Sequence, residues 1–154
     1  MIKSPANTQG KTVGAAKAPP AKSAPSAALN GESEPKSEVK THGGGCHCGK
    51  VRYEMTADVA KAVSCNCSIC MKSGSLLAFV PATQFKLQSD EEDLVDYQFN
   101  KHAIHHMVCP DCGIKSFARA TGPDGTPTVA VNVRCLDDID LKALTITEFD
   151  GRSR

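Results

Sequence analysis

From Gly43 onward, apolar and polar residues alternate in short runs, which is the period of a strand with one face buried. Val51, Tyr53 and Met55 alternate with Arg52 and Glu54, and Phe85 and Leu87 with Lys86 and Gln88. Val95, Tyr97 and Phe99 alternate with Asp96 and Gln98, after an acidic turn at Asp90-Glu91-Glu92-Asp93. Leu76 to Val80 is a continuous apolar run closed by Pro81, and Ile114 to Ala120 is a further candidate strand. Gly122-Pro123-Asp124-Gly125 is strong turn chemistry. Beyond it Val129, Val131, Val133 and Cys135 line one face of a strand, with Ala130, Asn132 and Arg134 on the other. A last strand runs from Leu144 to Phe149, and its buried face is poorly defined. The only helical signal is a turn at Ser68 to Ser73. The pattern predicts an all-β domain over residues 42–154.

Residues 1–41 have a different composition, rich in Ala, Pro, Ser and Lys and without an aromatic residue. Such a segment buries too little apolar surface to offset the entropy of ordering, so it reads as a disordered tail. Its six Lys and three Glu contrast with twelve basic and fourteen acidic residues in 42–154. The chain as a whole carries a net charge of +1, which gives no global field favouring nucleic acid or an acidic membrane. No run of 18 apolar residues is present, so no transmembrane helix is expected, and the N-terminus lacks a secretory pattern. With no Trp, two Tyr and five Phe, the core is small, and metal binding is expected to supply part of the folding free energy.

The eight cysteines sharpen that expectation. Seven lie in three tight clusters: Cys46-His47-Cys48, Cys65-Asn66-Cys67-Ser68-Ile69-Cys70 and Cys109-Pro110-Asp111-Cys112. Such spacings let thiolates converge on one small cation and are poor for disulfides. Reduced thiols held by metal fit the cytoplasm. The simplest pairing joins Cys46, Cys48, Cys109 and Cys112 in a closed structural zinc site. Gly49 and Gly113, each following a pair, supply the positive φ that a tight knuckle needs. Cys65, Cys67 and Cys70 then hold a second zinc through three protein ligands. The alternative adds Cys135 and closes this site too, although the strand pattern places Cys135 in the core. His102, His105 and His106 form another pool of ligands, and His47 points away from the metal.

Three thiolates on Zn²⁺ leave a net negative charge, which makes the ion a poor acidifier of water and a better match for a soft sulfur ligand. An incoming thiol would be held there as thiolate, and Lys72 and Arg134 are the candidate cations to help it bind.

Taken together, Gly45-Cys46-x-Cys48-Gly49-x-Val51, Cys65-x-Cys67-x-x-Cys70-x-Lys72-x-Gly74, Cys109-x-x-Cys112-Gly113 and Asn132-Val133-x-Cys135-Leu136-Asp137 resemble the glutathione-dependent formaldehyde-activating enzyme family, which shares its domain with centromere protein V. The resemblance covers about residues 43–150. It implies an Mss4-like all-β fold with two zinc ions per chain, one in a four-Cys structural site and one in an open three-Cys site. It also implies a carbon–sulfur lyase that combines glutathione and formaldehyde into S-(hydroxymethyl)glutathione, or reverses that step. The contrasting expectation is a non-catalytic, zinc-stabilised interaction module. The partner expected is a small-molecule thiol, with neither membrane nor nucleic acid involved.

Overall fold

The structure is a computed structural model and describes residues 38–154. The tail expected over residues 1–41 therefore falls almost wholly outside the described residues. Among the described residues, ten strands, β1 (Lys40–Gly45), β2 (Arg52–Ala57), β3 (Lys61–Cys65), β4 (Leu76–Pro81), β5 (Phe85–Leu87), β6 (Val95–Tyr97), β7 (Ile104–Val108), β8 (Lys115–Thr121), β9 (Pro127–Asn132) and β10 (Thr145–Phe149), form the framework of the domain. One α-helix, α1 (Ser68–Ser73), follows β3, and four 3₁₀ turns fill short connections. The all-β expectation holds. β1 begins at Lys40, so Lys40 and Thr41 are strand residues, paired with Ala57 and Thr56. Composition could not show this, because the pairing is supplied by β2.

The strands form two sheets. The smaller has the order β1-β2-β5 and the larger β10-β3-β4-β9-β8-β7-β6. All neighbours are antiparallel except β10, which runs parallel to β3. The small sheet covers one face of the large one. Tyr53 and Phe85 from the former meet Phe117 of the latter, with ring centroids 4.8–5.7 Å apart. Met55, Val129 and Val131 complete this fully buried layer. Each such side chain taken from water contributes roughly 1.5–3 kcal/mol, so a layer this small gains from any added staple.

Strand periodicity dictates the other face of the large sheet. Val129 and Val131 point into the core, so Ala130 and Asn132 point outward. Cross-strand register aligns Phe79, Ala130, Ala118 and His106 in one outward row and Val63, Leu77 and Asn132 in the next. Cys65 sits at the end of β3 on this same outer face, opposite Phe149 of β10. The expected strand through Cys135 is shorter than its alternation suggested. β9 ends at Asn132, whose side chain accepts the Arg134 N–H at 3.3 Å and turns Val133–Cys135 into a 3₁₀ turn.

Candidate metal centres and the cavity beside them

The Cys46–Cys48 and Cys109–Cys112 pairs meet where a turn of the small sheet approaches a turn of the large one. Cys46 and Cys48 lie in the turn between β1 and β2, and Cys109 and Cys112 in the turn between β7 and β8. Their four sulfurs all lie within 4.8 Å of one another. The Sγ separations are 3.5 Å for Cys46–Cys48 and 3.6 Å for Cys48–Cys109. Four thiolates at ~2.3 Å around a tetrahedral zinc would be ~3.8 Å apart, and a disulfide would need ~2.05 Å, so the spacing suits a metal. Both turns are the tight knuckles expected from their glycines, with φ of 83° at Gly49 and 72° at Gly113. Backbone N–H groups already point at sulfur. Val51 donates to Cys46 Sγ at 3.3 Å, and the Ile114 N–H heads the influences that bring the Cys112 thiol down to about 6. Lys50 and Asp111 join the two knuckles by an ion pair at 3.4 Å.

Cys65, Cys67 and Cys70 form the second group, again with every sulfur within 4.8 Å of the others. β3 delivers Cys65, Cys67 caps α1, and the first turn of α1 carries Cys70 inward to a buried position. The Cys67 N–H approaches Cys65 Sγ at 3.5 Å, the same backbone-to-sulfur arrangement as in the first site. Burial pushes the Cys70 thiol up to about 12, and the largest opposing influence is the charge of Lys115. Both groups can hold a metal ion.

Sequence reasoning missed how this second group is braced. The segment after β10 folds back over the Cys65-Asn66-Cys67 turn. Asn66 donates to Asp150 Oδ1 at 2.7 Å and accepts the Arg152 N–H at 2.9 Å, and its own N–H bonds to the Phe149 carbonyl at 3.1 Å. Gly151 lies so close that a Cβ there would sit 2.5 Å from Cys65 Sγ. A glycine two residues after a strand was the only sequence signal.

The remaining candidates separate clearly. Cys135 belongs to neither sulfur group and is partly buried, with burial raising its thiol pKa. His47, His102 and His105 are exposed, and no histidine joins either group. Neither Lys72 nor Arg134 lines the cavity at Cys65, Cys67 and Cys70. Lys72 projects from the exposed side of α1 into a neighbouring recess with Tyr97 and Phe99. Arg134 is exposed on its 3₁₀ turn because β9 has ended before it.

That cavity, about 540 Å³, lies between the outer face of the large sheet, the loop Phe99 to Ala103 and the C-terminal segment. Its size is that of a small-molecule site. Lys101, Lys115 and Arg154 are its cations, and Asn132 and His106 its buried polar residues. The His106 imidazole is 5% exposed and stacked on Phe99, and neither ring nitrogen has a hydrogen-bond partner. Burial, reinforced by Lys115, lowers its pKa to about 4, so it is neutral at ordinary pH. Lys115 thus faces both Cys70 and His106. Its position just after the second knuckle could have flagged it, because the knuckle fixes where β8 begins.

An all-β domain with one closed four-cysteine group and one three-cysteine group open to a cavity defines a narrow class. The sequence profile of the glutathione-dependent formaldehyde-activating enzyme matches residues 41–148, and the chain belongs to that family. Among solved structures, it is similar to a crystal structure of a Rhodobacter sphaeroides protein at 27% identity, with a TM-score of 0.58. The match covers 68% of this chain and 99% of that one. Asp150 to Arg154, which brace and line the open site, lie beyond the profile match. Among the described residues, no helix is long and apolar enough to cross a membrane.

Proposed function

We propose that the protein is a carbon–sulfur lyase or synthase that forms and breaks the adduct of a glutathione-type thiol with an aldehyde such as formaldehyde. The observation that carries this reading is the opening of the Cys65-Cys67-Cys70 group into a cavity walled by Lys115. Zinc is the metal that both groups suit, because soft thiolate sets at tetrahedral spacing select it. At Cys65, Cys67 and Cys70, zinc would hold an entering thiol as thiolate, below its free pKa of about 8.5. Cys46, Cys48, Cys109 and Cys112 would hold the other ion as a staple, since four ligands leave no position for substrate.

The chain's own residues do the rest. Lys115 offsets the negative charge that three thiolates leave after neutralising a divalent ion, and with Lys101 and Arg154 it attracts the substrate's carboxylates. His106 offers a neutral N–H to the aldehyde oxygen. The cavity walls hold thiol and carbonyl together, which replaces a chance encounter with a high effective concentration. In the forward direction the thiolate sulfur attacks the carbonyl carbon, the C=O π pair moves to oxygen, and oxygen takes a proton from water. The reverse direction breaks the C–S bond and restores thiol and aldehyde.

Exchange NMR of glutathione, formaldehyde and their adduct reports the rate directly. Exchange is expected to be faster with the zinc-loaded protein than in the uncatalysed control, and Cys67→Ser to abolish the gain. An exchange rate equal to the control would overturn the reading.

A further inference from the structure

The floor of the cavity is unusual for a sheet. Ala118 and Ala130 stand directly opposite one another on β8 and β9, and Ala120 follows Ala118 on the same face. Alanine is depleted in strands because it packs little surface against its neighbours. Here it leaves a trough. The rims are large: Phe79 on one side, 56% exposed although it sits mid-strand on β4, and Ile104 on the other, 46% exposed. Large apolar side chains half out of water around a floor of methyl groups have a shape that an apolar ligand would complete.

A second, independent observation points the same way. The row Phe79, Ala130, Ala118 runs on to His106, which is buried, lines the cavity and leaves both ring nitrogens without a partner. A buried polar group in that condition is unfavourable unless something bonds to it. Formaldehyde has no carbon substituent and would leave the trough empty.

We propose that the substrate is the adduct of a glutathione-type thiol with an apolar aldehyde. The aldehyde's carbon substituent lies along Ala118 and Ala130, and its carbinol hydroxyl bonds to His106. The inference rests on the function proposed above and narrows its aldehyde. The balance is that of hemithioacetal chemistry: the C–S and O–H bonds form as the C=O π bond and the thiol's S–H bond break, the sulfur's proton reaching oxygen through water, and no oxidant or reductant takes part.

Two measurements on the zinc-loaded full chain test it. Calorimetry compares S-methylglutathione with S-hexylglutathione, two stable thioethers that differ only in apolar length. The hexyl compound is expected to bind at least about tenfold tighter, a conservative reading of five extra methylenes. Ala130→Leu, which fills the trough, is expected to erase most of that gap. Phe79→Ala, at a rim position outside the buried core, is expected to narrow it severalfold. Exchange NMR then compares hexanal with formaldehyde, and the acceleration over the protein-free control is expected to be about tenfold larger for hexanal, as one or two buried methylenes can supply. Equal affinities and equal accelerations, with formaldehyde exchange still enhanced, would overturn the apolar-aldehyde inference and leave the proposed function standing. Absence of binding and of any acceleration would overturn both. A dimer that Phe79→Ala dissociates while the methyl-to-hexyl gap stays unchanged would assign the apolar face to a second copy of the chain, and overturn the inference as well.

Discussion

The two cysteine groups use the same backbone device and differ in what surrounds it. Both are turns in which N–H groups point at sulfur. The four-cysteine group joins two hairpin turns across the domain and is tied by the Lys50–Asp111 pair at the surface. The three-cysteine group lies on the outer sheet face, braced by Gly151 and Asp150 and open to a cavity with Lys115. The difference teaches that ligand count and location go together. On the proposed function, four thiolates from two distant segments would make a staple, whereas three from one local turn would leave room for a reactant.

The sharpest way to break this contrast is to remove one ligand from each group. Cys112→Ala is expected to cost the fold, because metal-coupled folding energy is lost with the staple. Cys67→Ala is expected to leave a folded domain that binds one zinc fewer per chain. Circular dichroism melts with elemental analysis decide it, and equal collapse of both variants would make both groups structural.

Gly151→Val comes next in size. Its side chain would be driven into Cys65 Sγ, so the second zinc should be lost while the four-cysteine zinc stays, with the core little changed. Retention of two zinc ions by this variant would show that the C-terminal segment merely covers the site.

Lys115→Met keeps the side-chain length and removes the charge. Affinity for glutathione is expected to fall by about tenfold, the size of one charge-assisted contact. Lys72→Met and Arg134→Met are expected to change it much less, since neither residue lines the cavity. Calorimetry with glutathione on the three variants ranks them.

The smallest effect is on acid stability. His106 is held neutral in the fold to about pH 4, below its ordinary value of 6.5, with burial the main cause and Lys115 adding to it. Between those values the unfolded chain binds the proton that the fold refuses, so stability is full above about pH 6.5 and declines as pH falls towards 4. His106→Gln should lose less melting temperature between pH 7 and pH 4.5 than the unaltered protein. Identical losses would show that His106 is not held neutral.

Much of this was legible in the residues. The alternation at Val51 to Met55, Phe85 to Leu87 and Val129 to Val131 gave strands, because each has one face in the core. The pairing of Cys46 and Cys48 with Cys109 and Cys112 followed from ligand spacing and glycine placement. Strands β1, β3 and β7 were not evident. β1 ends in three glycines, while β3 and β7 lack a clean alternation and are defined by their neighbours. The cations that line the cavity were not evident for a related reason. Lys72 and Arg134 are near ligand motifs in sequence, but helix and 3₁₀ geometry turn them outward, whereas Lys115 arrives from β8 and Arg154 from the segment after β10. Cross-strand register and the fold-back of the C-terminal segment, which no single stretch of sequence encodes, place them.

Cobalt substitution tests the central claim, that one group is closed and the other open to a thiol, most directly. Cobalt reports thiolate ligands through charge-transfer absorption. Adding glutathione to the dicobalt protein is predicted to strengthen that band, as a further thiolate joins Cys65, Cys67 and Cys70, and the Cys67→Ala variant should show no such rise. A spectrum unchanged by glutathione in the unaltered protein would contradict the account, because both sites would then be closed to the substrate.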